Sequence, residues 1–313
     1  MFLRTSLDWD RDIAPIGVED DTVRFQIDMP DERPYLHYKP CLRDCDTVIW
    51  AQGEDYLTVP GAPPDIIYPC FHEQKGSITE RFAVGDHEVR VYLPPGYREN
   101  PLKRYPVLYL HDAANVFFAE EAFCGNEWRV DETLDFLDRV NTIDKVVVVA
   151  AYPHDRMREY TVVGYEGYGR YLVESLKPHI DRHYHTLPGA PYTAIMGSSL
   201  GGVVSFYAAW RWPEVFGMAG CLSSTFGFRD DLFQRVRTGP RSSARFYLDS
   251  GWPRDNCEAT RAMAQCLLAR GFRMGDDLQY FLFPHAKHSE RYWAERVHIP
   301  FQFFFGKLRR RTL

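Results

Sequence analysis

The sequence predicts an α/β protein: a mostly parallel sheet with helices on both faces, preceded by a small β-rich N-terminal module. Three observations carry this expectation. From about residue 76 onward, short apolar runs alternate with helix-periodic stretches, the rhythm of repeated β-α units. Lys145 is followed by Val146-Val147-Val148-Val149-Ala150-Ala151, an unbroken apolar run that suits a strand buried on both faces. Residues 22–59 read instead as short strands broken by turn residues, with Pro60-Gly61-Ala62-Pro63-Pro64-Asp65 as a linker behind them.

Taken in order, Val23 to Ile27 alternates, Tyr35 to Tyr38 follows, and Thr47 to Trp50 is a third run. Residues 1–75 are therefore assigned to the accessory module and 76–313 to the main domain. The latter opens with a hairpin, residues 78–82 against 87–93, turning at Gly85-Asp86. A strand at 106–110 and a helix at 130–137 come next, then the valine strand. A helix over 169–184, a strand over 192–196 and a helix over 200–210 follow. Strands at 218–222 and 245–249 lead to a helix in which Ala259, Met263, Cys266 and Leu267 recur at helical spacing before Gly271. Residues 278–283 supply the last strand, and a final helix starts after Ser289.

Composition bounds the function. The 313 residues are 45% hydrophobic and 26% charged, enough to bury a sizeable core. A net charge of −6 argues against a nucleic-acid binder. The one concentrated basic run, Lys307-Leu308-Arg309-Arg310-Arg311, reads as a solvated helix end. No stretch approaches the ~18 apolar residues that span a bilayer, and residues 1–20 hold no apolar run of signal-peptide length. Seven scattered cysteines suit a reducing compartment. The expectation is a cytoplasmic protein with no membrane or nucleic-acid partner.

The sharpest chemical signal is Gly197-Ser198-Ser199-Leu200-Gly201-Gly202, a G-x-S-x-G pattern between an apolar strand and a helix. Such a turn lifts a serine hydroxyl clear of the sheet at a helix N-terminus. Its glycines remove Cβ atoms that would clash with the neighbouring strand and helix. A serine hydroxyl is a weak nucleophile, so it needs a base within reach and a third group to orient that base. On sheets of this kind the chain order is serine, acid, histidine. His288 and His285 both follow the last strand, and His288, at the edge of a helix over the strand tips, is preferred. His298 lies deeper in the helix pattern. For the acid, Asp255 sits out on the loop after residues 245–249 and is preferred to Asp249, with Glu258 third. Two backbone N–H groups are needed for an oxyanion. Leu200 supplies one, and the loop His111-Asp112-Ala113-Ala114-Asn115 the other, with Ala114 preferred to Ala113. His111 is expected to pack beneath that loop. No metal or organic cofactor is implied.

These residues together resemble the putative-esterase family of α/β-hydrolases, which includes enterochelin esterases, feruloyl esterases, esterase D and the mycolyltransferases. The resemblance covers about residues 78–305. It rests on Tyr92-Leu93-Pro94-Pro95-Gly96-Tyr97, on Tyr105 to Asp112, on Arg158-Glu159-Tyr160, on the Ser199 pattern and on Pro213-Glu214-Val215-Phe216. The family's histidine is typically followed five positions later by Trp, as His288 is by Trp293. Its acid lies three or four positions after a strand-ending Gly, as Asp255 does after Gly251. Ala113, where many members carry Gly, departs from the pattern. The resemblance implies a small-molecule carboxylic ester as substrate and an acyl-enzyme on Ser199. It also offers Trp128 and Arg158 as substrate-binding candidates, against plainer roles in the core and in an ion pair. An acyltransferase using the same triad and a non-catalytic binding protein are the competing classes.

Overall fold

The computed structural model describes residues 1–307, so the basic run from Leu308 lies outside the described residues. The first seven strands are β1 (Phe2–Thr5), β2 (Asp8–Ile13), β3 (Gly17–Glu19), β4 (Thr22–Arg24), β5 (Leu36–Asp44), β6 (Thr47–Trp50) and β7 (Tyr56–Thr58). They form an antiparallel sheet in the order β2-β1-β5-β6, with β7 also on β5, and a separate β3-β4 hairpin. Strands β1 and β2 lie where sequence reading expects none. β2 is an edge strand of mostly charged, exposed residues, so no apolar alternation marks it. Backbone pairing to β1 defines it, with Arg4 and Arg43 both bonded to Asp12.

The main sheet contains β8 (Ser77–Ile78), β9 (Phe82–Val84), β10 (His87–Leu93), β11 (Val107–Leu110), β12 (Val147–Ala151), β13 (Thr193–Ser198), β14 (Met218–Leu222), β15 (Arg245–Trp252) and β16 (Leu278–Pro284). Its order is β16-β15-β14-β13-β11-β12-β10-β8, with β9 on β10. Strands β11 to β16 are parallel, whereas β10 runs antiparallel to β12. The expected hairpin is present at β9-β10, but the run at 78–82 is split. Ile78 pairs with Tyr92 in a separate short strand.

Period-two alternation divides the core between the faces. Val107, Tyr109, Val147 and Val149 face a layer containing the helices Leu200–Arg211 and Cys257–Ala269. Leu108, Leu110, Val148 and Ala150 face the helices Val130–Arg139 and His298–Phe305. The helix expected at 169–184 begins earlier, at Tyr165, and continues through a wider turn at Leu172–Leu176 to His183. The single helix expected after Ser289 is two, Glu290–Ala294 and His298–Phe305. Pro300 gives the reason. It cannot donate to a preceding turn, and restarting at His298 places it in the first turn, where no N–H is missed. No helix among the described residues is long and apolar enough to cross a membrane.

Polar contacts fasten the chain between the two sheets. The Glu99 carboxylate accepts the backbone N–H groups of Phe71 (2.7 Å), His72 (2.9 Å) and Glu73 (2.7 Å). Gly76 donates to Asp135 at 2.9 Å. Burial alone would raise the Glu99 carboxyl, but the three N–H donors and the Cys70 thiol outweigh it and hold it below its usual value. A carboxyl depressed in the folded state stabilises above its unfolded range, and that contribution is lost as pH falls through the folded value. Glu99→Ala should therefore cost about 2 kcal/mol at neutral pH. Urea unfolding should show the gap between variant and parent closing as pH is lowered below the carboxylate range. A gap that persists in acid would contradict the charge-assisted anchoring.

Candidate active site

Strand order fixes where a site can form. The chain lays β12 on one side of β11 and β13 to β16 on the other, so the order reverses between β11 and β13. Loops leaving the C-terminal ends of two such strands diverge and open a crevice. The loop after β11 carries His111 to Asn115, and the turn after β13 carries Ser199. His111 N–H bonds the Met196 carbonyl at 3.1 Å across this point.

Ser199 occupies φ 55°, ψ −119°, a conformation few L-residues adopt and one that marks stored strain. Close packing enforces it. A Cβ on Gly197 would lie 2.7 Å from the Gly201 carbonyl carbon, so strand and helix approach as only glycine permits. Ser199 N–H is tied to the Leu222 carbonyl at 2.9 Å. Ser199 is half-buried, and its hydroxyl makes no hydrogen bond among the described residues. Leu200 opens the following helix, where an N–H has no intrahelical acceptor. Ala114 is half-buried in a short 3-10 turn, while Ala113 is buried.

Asp255 and His288 are brought together. His288 Nδ1 and Asp255 Oδ1 are 2.6 Å apart, with the Asp255 side chain 0% exposed and that of His288 37% exposed. Burial alone would push the Asp255 carboxyl up. Hydrogen bonds from His288, from the Ser223 hydroxyl (2.5 Å) and from Gly251 N–H (2.7 Å) outweigh it and hold the carboxyl below its ordinary value. With Nδ1 donating, Nε2 is left as the free acceptor. His285 makes no side-chain hydrogen bond among the described residues, and Glu258 is exposed at the start of its helix.

Asp249, the other acid in the sequence reading, has a different partner. It is fully buried within β15 and takes Arg296 through both oxygens, Nε at 3.1 Å and Nη2 at 3.0 Å, and Tyr247 Oη at 2.9 Å. Burial pushes its carboxyl up, against the pull of Arg296 and Tyr247. Sequence reasoning missed Arg296 and Ser223 altogether. Arg296 lies three residues after Trp293, a spacing that shares a helix face, and that was the available signal.

The two substrate-binding candidates differ in burial. Trp128 is 1% exposed and packs against Trp293 with ring centroids 5.9 Å apart, so it is a core residue and not a cleft wall. Arg158 is exposed, and its side chain has no hydrogen-bond partner among the described residues. Arg156 instead reaches the crevice loop, gripping Asp112 with two bonds of 2.8 and 2.9 Å. Two positions apart within a single helical turn, the two arginines point to opposite sides. His111 is buried beneath the loop, bonded to Tyr168 Oη at 3.0 Å. Burial, with Arg156 nearby, pushes it down to about 3 and leaves it neutral.

Two features stand apart from these groups. A cavity of about 860 Å³ is lined by Glu127, Glu132, Phe136, Arg291 and His298, and none of Ser199, Asp255 and His288 lines it. Glu127, Asp131 and Glu132 present oxygens within 4.8 Å of one another, a spacing that suits a hard cation. Burial and the neighbouring Glu132 push the Asp131 carboxyl up to about 7.

Comparison with known proteins covers most of the chain. The family model described as Putative esterase matches residues 83–298. The uncharacterized protein YbbA of Bacillus subtilis (strain 168) is 24% identical over 252 residues, 75% of this chain and 98% of that protein. An endo-1,4-beta-xylanase/feruloyl esterase of Xylanibacter ruminicola is 26% identical over 189 residues, 58% of this chain and 25% of its own length. Among solved structures, the feruloyl esterase module from Clostridium thermocellum, complexed with sinapinate, aligns with a TM-score of 0.60 at 16% identity. That alignment covers 77% of this chain and 92% of the module.

Gly251 gives a test of the geometry. A Cβ there would collide with the Ala286 carbonyl oxygen and crowd Asp255 Oδ2. Gly251→Ala should displace the turn bearing His288 and remove the low-field Nδ1 proton resonance of a short Asp–His bond. Gly17→Ala, whose Cβ meets nothing, should leave that resonance in place. A resonance unchanged in Gly251→Ala would refute the packing argument.

Proposed function

Because the chain belongs to the Putative esterase family and is a carboxylic-ester hydrolase of α/β-hydrolase fold, we propose that it works through an acyl-enzyme on Ser199, with His288 as base and Asp255 as acid. The observation that carries this reading is the 2.6 Å bond between a buried carboxylate and the imidazole on the loop after β16. It lies on the same edge of the sheet as a serine in a strained, positive-φ turn.

In this mechanism Ser199 Oγ attacks the ester carbonyl as His288 Nε2 takes its proton. The N–H groups of Leu200 and Ala114 receive the oxyanion. Collapse expels the alcohol, which leaves with the proton from His288. Water then attacks the acyl-enzyme by the same route, returning Ser199 and releasing the acid. Asp255 fixes the imidazole tautomer and stabilises its charged form. Contact between Ser199 and His288 forms as substrate enters, consistent with catalytic hydrogen bonds that tighten only in the complex.

A small-molecule ester is the substrate, and the relatives named feruloyl esterase direct the first panel to aryl esters. Residues 1–75 are taken as an accessory module, supported by their separate sheets. A cytoplasmic location is part of the proposal, supported by seven unpaired cysteines.

Ser199→Ala should lower p-nitrophenyl acetate turnover by roughly four orders of magnitude or more while circular dichroism stays unchanged. Turnover retained by the folded variant would refute Ser199 as nucleophile. kcat/KM should rise with pH as the imidazole loses its proton. A profile flat from about pH 5 to 8 would refute His288 as the base.

A further inference from the structure

Behind Asp255 lies a closed set of buried polar groups that the three-residue mechanism does not use. Ser223 follows β14 and is fully buried at φ 45°. Its hydroxyl oxygen receives Trp293 Nε1–H at 2.9 Å and Arg296 Nη2–H at 2.7 Å. A hydroxyl has one proton to give and two lone pairs to fill. Both lone pairs are occupied by groups that can only donate, so the proton has one acceptor left, Asp255 Oδ2 at 2.5 Å. Gly251 N–H donates to the same oxygen. Oδ2 is thereby anchored, the carboxylate cannot rotate, and Oδ1 alone faces His288.

Arg296 is itself held. Asp249 grips it through two oxygens, and its Nη1 donates to the Tyr292 carbonyl at 3.1 Å. Its Nη2 lies 3.7 Å from Asp255 Oδ2, so its charge acts on the catalytic acid while Asp249 offsets it. Asn256 also packs here, donating to the Ser223 carbonyl at 2.9 Å, and it carries no charge. The charged or titratable groups facing Asp255 are thus His288 and Arg296, with Asp249 beyond.

We propose that Ser223 is a positioning residue for the catalytic acid, its proton committed to Asp255 by Trp293 and Arg296, and that Asp249 balances the charge of Arg296 there. This rests on the reading of Ser199, His288 and Asp255 as the triad. Two opposite effects on the acid limb of kcat/KM follow. Without the Ser223 hydroxyl, the Asp255 charge is shared with one donor fewer and holds the imidazolium more firmly, so the limb moves to higher pH. Without the Asp249 charge, Arg296 is unbalanced and disfavours the imidazolium, so the limb moves to lower pH.

The test measures p-nitrophenyl acetate hydrolysis against pH, with rates expressed per active site counted by a fluorophosphonate probe on Ser199. Ser223→Ala should lower kcat about tenfold with KM unchanged and move the limb up by about half a pH unit. Ser223→Gly, which relieves the positive φ but also lacks the hydroxyl, should do the same. Asp249→Asn should move the limb down. A purely structural network would change the fraction of active enzyme and leave the limb in place. Limbs that are unmoved, or that move in the same direction in Ser223→Ala and Asp249→Asn, overturn the proposal. If the parent enzyme shows no hydrolysis that depends on Ser199, the triad reading itself fails. An active parent with unmoved variant limbs removes only the role of Ser223 and Asp249.

Discussion

A carboxylate shut away from water stays ionised only when donors surround it, and Asp255 is the point in this molecule where that demand is met. Its four neighbours come from three segments of the chain: Gly251 N–H at the end of β15, Ser223 after β14, and His288 with Arg296 after β16. Each of those segments is placed by what Asp255 needs. Gly251 lacks a side chain, which lets the turn at Ala286 come close. Arg296 is buried only because Asp249 is buried opposite it, since an unpaired guanidinium at that depth would be costly.

The serine side of the crevice depends on a different constraint. Its geometry is maintained by close backbone contact between β13 and the helix behind it, and by the Ser199 N–H bond to Leu222. A strained turn of this kind persists only where its surroundings over-determine it. Five of the sheet's strand pairings are parallel, and strands β11 to β14 among them are buried on both faces, which supplies that rigidity. The reversal of strand order between β11 and β13 then leaves the turn open to one side. Strain and access come from the same piece of topology.

Much of this was legible in the sequence, for physical reasons that differ by element. The buried parallel strands announced themselves because lipophilic runs such as residues 146–151 have no other use in a protein of this composition. The elbow was legible because glycine spacing reports backbone approach directly. Asp255 and His288 followed from chain order and loop position, and the structure pairs those two. Strand β2 was invisible, since an edge strand held by main-chain pairing needs no apolar pattern. The burial of Trp128 was not legible, because the side on which a residue faces depends on the local turn, which spacing does not reveal over so few residues. Ser223 and Arg296 stand 73 positions apart in hydrogen-bond contact, and no local signal connects them.

The scattered origin of the crevice has a consequence for how the protein comes to be active. His111, Ser199, Asp255 and His288 follow four different strands, β11, β13, β15 and β16, the first of them near the middle of the main sheet and the last at its edge. Contacts of such long sequence separation form late, after the entropy of closing the intervening loops has been overcome. A partly folded chain can therefore carry the serine turn intact and still lack the paired Asp255 and His288 proposed to serve it. The loop that carries His288 is set in place only when β16, the last strand among the described residues, docks against β15, so the pairing of His288 with Asp255 is completed at the edge of the sheet and not at its centre.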